Sequence, residues 1–94
     1  MVEVIVSDYA IYDMQEIYDF IARDSPRYAS KQIDKFFKRI DVLNTFPFSG
    51  RIVPEYGLLN RRELIEGDYR IVYEIFSEES ITILSVHHGA KLLK

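Results

Sequence analysis

The first half of the chain carries two stripes of apolar residues, each introduced by a serine. The first stripe is Ala10, Met14, Ile17, Tyr18 and Ile21, and the second is Ala29, Ile33, Phe36, Phe37, Ile40 and Leu43. Spacings of three and four residues place such side chains on one face of a helix. We predict one helix from about Asp8 to Arg23, and a second that starts after Ser25 and ends at Phe46-Pro47. Their short connection predicts an antiparallel helical hairpin.

The other apolar residues fall in short runs rich in β-branched side chains, which indicates strands. These runs are residues 2–6, 62–66, 69–76 and 81–86. Gly67-Asp68 and residues 77–80 predict tight turns, residues 48–60 predict a loop, and the tail 90–94 predicts one short helical turn. The order β-α-α-β-β-β predicts an α+β fold, with the helical hairpin on one face of a small, mostly antiparallel four-stranded sheet. We expect the other face to be polar, hydrated or occupied by a partner.

Length and composition narrow the class of protein. The chain has 94 residues, of which 48% are hydrophobic, with no cysteine and a formal net charge of −3. These values predict one globular domain over residues 1–94, and they exclude a disulfide scaffold, a thiolate metal site and a cysteine nucleophile. The apolar start is too short for a signal sequence or a membrane span, so we expect a soluble cytoplasmic protein. The acidic balance disfavours indiscriminate binding to nucleic acid.

The two histidines, His87 and His88, follow the last predicted strand. They point to opposite sides of that strand, so at most one of them serves a given site. Each is either a surface residue beside a glycine turn or a general acid–base group that titrates near neutral pH. Adjacent histidines on a strand cannot both reach one metal ion, so we predict no metal site, and no motif predicts a cofactor.

Three arginines, Arg61, Arg62 and Arg70, flank the Gly67-Asp68 turn on strands that are predicted to pair. One interpretation is cross-strand pairing with the hairpin's own carboxylates, which are Glu63, Glu66 and Glu74. The other is that a guanidinium on the open face of the sheet binds a phosphate or a carboxylate. A cluster of these arginines with His88 would make the local charge positive, despite the negative net charge of the chain. Strand register decides which of them share a face, because a slip of one residue reverses the assignment.

Taken together, the motifs of the second half resemble the RelE/ParE superfamily of toxins from type II toxin–antitoxin systems. The motifs are Pro47-Phe-Ser-Gly-Arg51, Val53-Pro-Glu55, Arg62-Glu-Leu64, Gly67-Asp-Tyr-Arg-Ile-Val-Tyr73 and Ile83-Leu-Ser-Val-His-His-Gly-Ala90. With the paired helices, the resemblance covers nearly the whole chain, and the ParE-like plasmid stabilisation branch is the most similar. It implies a growth-inhibiting cytoplasmic toxin.

The superfamily implies two activities. ParE-like members poison DNA gyrase by protein contact, and no catalytic residues carry over. RelE-like members are ribosome-dependent mRNA endoribonucleases. On that alternative Arg70 would stabilise the phosphate in the transition state, His88 would transfer a proton, and Glu55 would match the family's acidic residue. Arg61 and Arg62 would then bind the substrate.

Departures from the RelE-like pattern favour the gyrase-directed activity. Glu63 and Glu66 occupy a strand on which RelE-like members carry basic residues, and the chain has no C-terminal tyrosine. The net charge also opposes approach to the polyanionic ribosome. A third hypothesis, from a different class, is a non-toxic binding domain that keeps only the fold.

Either toxic activity implies a cognate antitoxin as partner. Such partners are typically disordered segments that fold on binding and bury a large area, which would give a toxin–antitoxin hetero-oligomer. Phe20 on the helical hairpin and Leu92 and Leu93 in the tail are the predicted contacts. No membrane partner is predicted.

Overall fold

The structure, a computed structural model, describes residues 2–89. Its elements in chain order are β1 (Glu3–Val6), α1 (Asp8–Ala22), α2 (Pro26–Asp41), β2 (Arg51–Ile52), β3 (Arg61–Glu66), β4 (Tyr69–Ser77) and β5 (Ser80–His88), and a 3-10 turn (Val42–Asn44) extends α2. The predicted α+β class and helical hairpin are confirmed. The strand count was wrong by one, because β2 lies inside the segment that was predicted to be a loop. Two residues are too few to carry a periodic signal. The predicted helical turn at 90–94 lies outside the described residues.

Each helix begins directly after a serine cap whose own backbone is extended. The Ser7 hydroxyl accepts a hydrogen bond from the Ala10 N–H at 3.0 Å, and the Ser25 hydroxyl accepts one from the Tyr28 N–H at 3.2 Å. Pro26 opens α2, where its missing N–H is no loss. A cap of this kind stabilises a helix by about 1 kcal/mol.

The five strands form one mixed sheet in the order β1-β5-β4-β3-β2. β1 pairs parallel to β5, and the other pairs are antiparallel. β3 and β4 are joined by the two residues Gly67 and Asp68, and Gly67 has a φ of 56°, which favours glycine. The β4–β5 register shifts by one residue between Val72 and Tyr73 and shifts again before Ser77.

Ser7, which caps α1, and Asp13 within it form hydrogen bonds with the part of the β5 edge that β1 does not pair with. β1 reaches only as far as Ile83 on β5. Beyond that point the Ser7 N–H donates to the Ile83 carbonyl at 3.1 Å, and the Ser7 hydroxyl donates to the Leu84 carbonyl at 3.3 Å. The Asp13 carboxylate accepts from the Val86 N–H at 2.9 Å. An unpaired strand edge is an aggregation hazard, and these contacts satisfy it from within the chain.

The core lies between the helical hairpin and one face of the sheet. Its fully buried side chains include Phe36, Leu43, Ile71, Tyr73, Ile81 and Ile83. The Phe36 ring meets the Tyr69 ring edge-on, with a centroid separation of 5.3 Å. Burial of a large apolar side chain contributes about 1.5–3 kcal/mol each, so this layer holds the helices on the sheet.

The opposite face of the sheet was expected to be polar, hydrated or occupied by a partner, and the chain itself covers part of it. Val53, in the loop between β2 and β3, is fully buried, and Val72 on β4 is 2% exposed. The carboxylate of Glu63 on β3 is also buried. We call this the loop-covered face, in contrast to the helix-covered face. No helix within residues 2–89 is long and apolar enough to cross a membrane.

Candidate functional site

The register of β4 places Arg61, Arg70 and His87 on the loop-covered face. Residues directly opposite each other in an antiparallel pair share a face. Arg61 lies opposite Glu74, and Arg70 lies opposite His87. The histidine that shares a face with Arg70 is therefore His87 rather than His88.

The other two arginine and histidine candidates, Arg62 and His88, lie on the helix-covered face. Arg62 lies opposite Tyr73, and His88 lies opposite Tyr69. The His88 ring packs edge-on against the Tyr69 ring, with centroids 5.8 Å apart. The side chains considered as one local cluster, Arg61, Arg62, Arg70 and His88, are thus divided between two faces of the sheet.

Arg70 is buried in a chain of four alternating charges, which we call the Arg70 network (Arg51, Glu55, Glu63 and Arg70). Its two terminal nitrogens donate to the two oxygens of Glu55, both at 2.8 Å. Its Nε donates to Glu63 at 2.6 Å, and the other oxygen of Glu63 accepts from the Nε of Arg51. Arg70 is 5% exposed and Glu63 is 1% exposed. Bidentate pairs of this geometry are among the strongest charge-assisted hydrogen bonds.

The Arg70 network is neutral overall, since two guanidinium groups face two carboxylates. Hydrogen bonding to Glu55, aided by Glu63, raises the pKa of Arg70 above its usual value although burial opposes this. Glu55 comes from the loop after β2, whereas Glu63 and Arg70 come from β3 and β4. The network therefore fastens the loop to the sheet, and Arg70 is already paired with two carboxylates.

Arg61 forms a cross-strand ion pair with Glu74, which is one of the two interpretations that the sequence left open. Its Nη2 donates to Glu74 at 2.6 Å, and this hydrogen bond raises the pKa of Arg61. The guanidinium also stacks on Tyr56, 4.9 Å from the ring centroid. Like Arg70, it links the loop to the sheet.

Arg62 instead braces the loop from the other side of the sheet. Its Nε donates to the Leu59 carbonyl at 2.9 Å, and its Nη1 donates to the Gly50 carbonyl at 3.1 Å. Its guanidinium lies 5.3 Å from the centroid of the Phe48 ring. A role for Arg61 or Arg62 in binding a substrate stays a prediction.

A further anchor, formed by Tyr73 and Gly50, was not identified from the sequence. The buried Tyr73 hydroxyl donates to the Pro47 carbonyl at 2.9 Å and accepts from the Gly50 N–H at 2.9 Å. A Cβ on Gly50 would lie 2.6 Å from both the Tyr73 hydroxyl and the Glu63 carbonyl, so only glycine fits. The Gly50-Arg51 pair in the motif was the available signal, but its partner is 23 residues away.

A shallow pocket of about 310 Å³ opens at the turn between β3 and β4. Its lining is Arg51, Ile65, Gly67, Asp68, Tyr69, Arg70, His88 and Gly89. Arg70 and His88 therefore reach a common rim although they lie on different faces. Proton transfer by His88 is untested, and Arg70 already bonds two carboxylates. Within residues 2–89 no group of histidine and carboxylate side chains could hold a metal ion.

An apolar concavity lies elsewhere, between α1 and α2. This groove, of about 370 Å³, is lined by Ile11, Met14, Gln15, Tyr18, Ile33 and Phe37. Ile11 and Phe37 are about half exposed, whereas Met14 at the floor is buried. Phe20, predicted as an antitoxin contact, is 67% exposed on α1 and is not part of the lining. The other two predicted contacts, Leu92 and Leu93, lie outside the described residues.

Comparison with known proteins identifies the family of this chain and a solved structure with the same fold. Residues 4–93 match the family described as the ParE toxin of the type II toxin–antitoxin system, parDE. A solved structure, a chromosomal ParDE toxin–antitoxin system from P. aeruginosa, superposes with a TM-score of 0.75 at 20% sequence identity. The match covers 94% of this chain and 96% of that one, which shows that the two share a fold. No curated protein sequence matches the chain.

Proposed function

Given that this chain belongs to the family of ParE toxins of type II toxin–antitoxin systems, we propose that it arrests growth by poisoning DNA gyrase and that a cognate antitoxin neutralises it. The target is then a protein surface, and the chain performs no bond-breaking step of its own. The alternative within the superfamily, a ribosome-dependent mRNA endoribonuclease, needs cationic side chains that are free to hold a phosphate.

The observation that supports a protein target is the neutralised state of Arg70. Its guanidinium is buried, and it donates two hydrogen bonds to Glu55 and one to Glu63. A nuclease would use this side chain to stabilise negative charge in the transition state, yet here it is already paired with two carboxylates. Glu55, the candidate acidic residue, is the bidentate partner of the same arginine. Both side chains are explained by folding of the loop onto the sheet.

The groove between α1 and α2 supports an antitoxin partner. Apolar grooves of this kind accept one face of an amphipathic helix, whose side chains insert at intervals of three and four residues. A disordered antitoxin segment could fold into it and bury the exposed parts of Ile11 and Phe37. We infer that the antitoxin contributes such a helix. Replacing Phe37 with serine is expected to weaken antitoxin binding by about tenfold or more.

The proposal is tested by inducing the chain in cells with and without the neighbouring gene. We expect growth arrest with gyrase-linked DNA breaks when the toxin is induced alone, and rescue when the neighbouring small protein is co-expressed. Cleavage of mRNA on ribosomes would favour the endoribonuclease instead. Neither effect, with no stoichiometric partner in a pull-down, would favour the non-toxic binding domain.

His88→Ala separates the two toxic activities more cleanly than an Arg70 variant. The His88 side chain is exposed, so its removal does not compromise the core, whereas removal of Arg70 breaks buried ion pairs. His87→Ala is the matched control on the neighbouring position. We expect both variants to arrest growth as the parent does. Loss of arrest in His88→Ala alone would indicate proton transfer by this residue and contradict the proposal.

A further inference from the structure

The groove between α1 and α2 combines an apolar lining with carboxylates along its borders. Met14 is buried at its floor, whereas Ile11 and Phe37 on its sides are about half exposed. Residues three or four positions apart on a helix share a side of that helix. Four exposed aspartates stand at this spacing from a lining residue, and we call them the rim carboxylates (Asp8, Asp19, Asp34 and Asp41).

On α1 the border of the groove is uniformly acidic. Asp8 comes three residues before Ile11, and Asp19 comes four residues after Gln15. The Gln15 side-chain amide donates to the Asp19 carboxylate at 2.9 Å, which holds this charge beside a lining residue. The helix as a whole carries four acidic side chains and no lysine or arginine. No cation on α1 therefore neutralises this side of the groove.

On α2 the rim carboxylates lie on either side of Phe37 along the helix. Asp34 comes three residues before it, and Asp41 comes four residues after it. Lys35 and Lys38 are two positions and one position from Phe37, and residues at these spacings do not face each other. Within residues 2–89 no ion pair involves a rim carboxylate. The chain itself thus leaves the negative charge beside the groove without an ionic partner.

We propose that the groove binds a basic amphipathic helix, whose apolar side chains fill it while lysines or arginines on its flanks pair with the rim carboxylates. The inference rests on the proposed function and adds the charge of the antitoxin segment that binds there. A groove between two helices accepts the side chains of one further helix, which suits a segment that folds on binding better than a broad folded surface. An acidic helix with the same apolar face would bring like charges together on both sides of the groove, which is costly.

Two synthetic peptides of about 15 residues test this charge preference, because they share one leucine face and differ only in flanks of lysine or of glutamate. Fluorescence anisotropy with the parent chain at low salt should show at least about tenfold tighter binding of the lysine peptide. The difference should shrink at about 0.5 M salt, where exposed charges are screened. Equal affinities, or tighter binding of the glutamate peptide, would overturn the inference.

Charge reversal determines whether the rim carboxylates make the contact. Asp19→Lys/Asp34→Lys changes one of them on each helix and should weaken binding of the lysine peptide by about tenfold or more. Glu78→Lys/Glu79→Lys is the matched control, because it makes the same change in net charge at the exposed turn between β4 and β5. Equal losses of affinity in the two variants would mean that only net charge acts, and would overturn the inference. Circular dichroism establishes that both variants remain folded.

Gyrase trapping and antitoxin rescue are measured separately with the same variants. Asp19→Lys/Asp34→Lys should still trap purified gyrase on DNA, but the neighbouring small protein should no longer rescue growth at a level that rescues the parent chain. Full rescue of this variant, or loss of its gyrase trapping, would overturn the pairing of the antitoxin with the rim carboxylates. A parent chain that traps no gyrase would contradict the proposed target, whereas the peptide comparison would still decide the charge of the helix that the groove binds.

Discussion

Replacing Arg70 with methionine removes the guanidinium that joins the loop to the sheet while it keeps most of the aliphatic stem. The side chain is 5% exposed and donates three hydrogen bonds to two carboxylates. Its loss leaves the Glu63 carboxylate, itself 1% exposed, with one of its two guanidinium partners. Breaking a buried ion pair from one side costs about 3–5 kcal/mol. Small domains are stable by only about 5–15 kcal/mol, so the loss is large.

Urea unfolding followed by far-ultraviolet circular dichroism measures this cost. At a slope of about 1.5 kcal/mol/M, the expected loss lowers the urea midpoint by about 2–3 M. Arg61→Met is the matched control, because its pair with Glu74 is more exposed, with side-chain exposures of 27% and 17%. Such a pair contributes about 1 kcal/mol or less. Equal midpoints for Arg70→Met and Arg61→Met would refute the reasoning.

A second variant distinguishes an uncompensated charge from simple loss of packing. Adding Glu63→Gln to Arg70→Met removes the buried carboxylate that the first substitution leaves short of a partner. The double variant should therefore be more stable than Arg70→Met alone, since the charge rather than the missing contact is costly. Growth arrest per folded molecule should also persist in Arg70→Met, whereas a nuclease would lose it.

Other expectations concern the loop anchor and the sheet edge. Tyr73→Phe should lower the free energy of unfolding by about 1–3 kcal/mol at neutral pH, because it leaves the Gly50 N–H and the Pro47 carbonyl without their partner. Burial raises the pKa of Tyr73, so the folded state holds the hydroxyl proton more tightly. This stabilisation is complete below the unfolded-state pKa of about 10 and is lost as the pH rises through the folded-state value. The stability of Tyr73→Phe should not show this pH-dependent loss, because phenylalanine has no hydroxyl to titrate. Gly50→Ala should cost about 1–3 kcal/mol by overpacking against the Tyr73 hydroxyl, as thermal unfolding would show. Asp13→Ala should lower stability by about 1–3 kcal/mol and speed hydrogen exchange at the Val86 N–H, which the carboxylate now binds.

The parts of the fold that could be predicted from sequence are those governed by local pattern. Both helices are long and periodic, and each carries its own serine cap. The β3–β4 pairing follows from the two-residue turn at Gly67, which sets the register directly. β2 has no comparable signal, since it consists of two residues held by side-chain anchors from distant strands.

The candidate site was harder to predict because it depends on contacts across the sequence. The assignment of His87 to the Arg70 face required the β4–β5 register, which shifts by one residue and then shifts back. No local pattern locates two such irregularities. The partners of Arg70 are likewise seven and fifteen residues away, one of them on a loop without periodicity. Sequence therefore identified Arg70 as a candidate but left open whether it binds a phosphate or a carboxylate.

The most direct test of a protein target is to supply the purified chain with gyrase and with translating ribosomes in separate reactions. We predict linear DNA covalently linked to gyrase in the first reaction and intact mRNA in the second. Cleaved mRNA in the ribosome reaction, with no gyrase-linked DNA, would contradict this prediction.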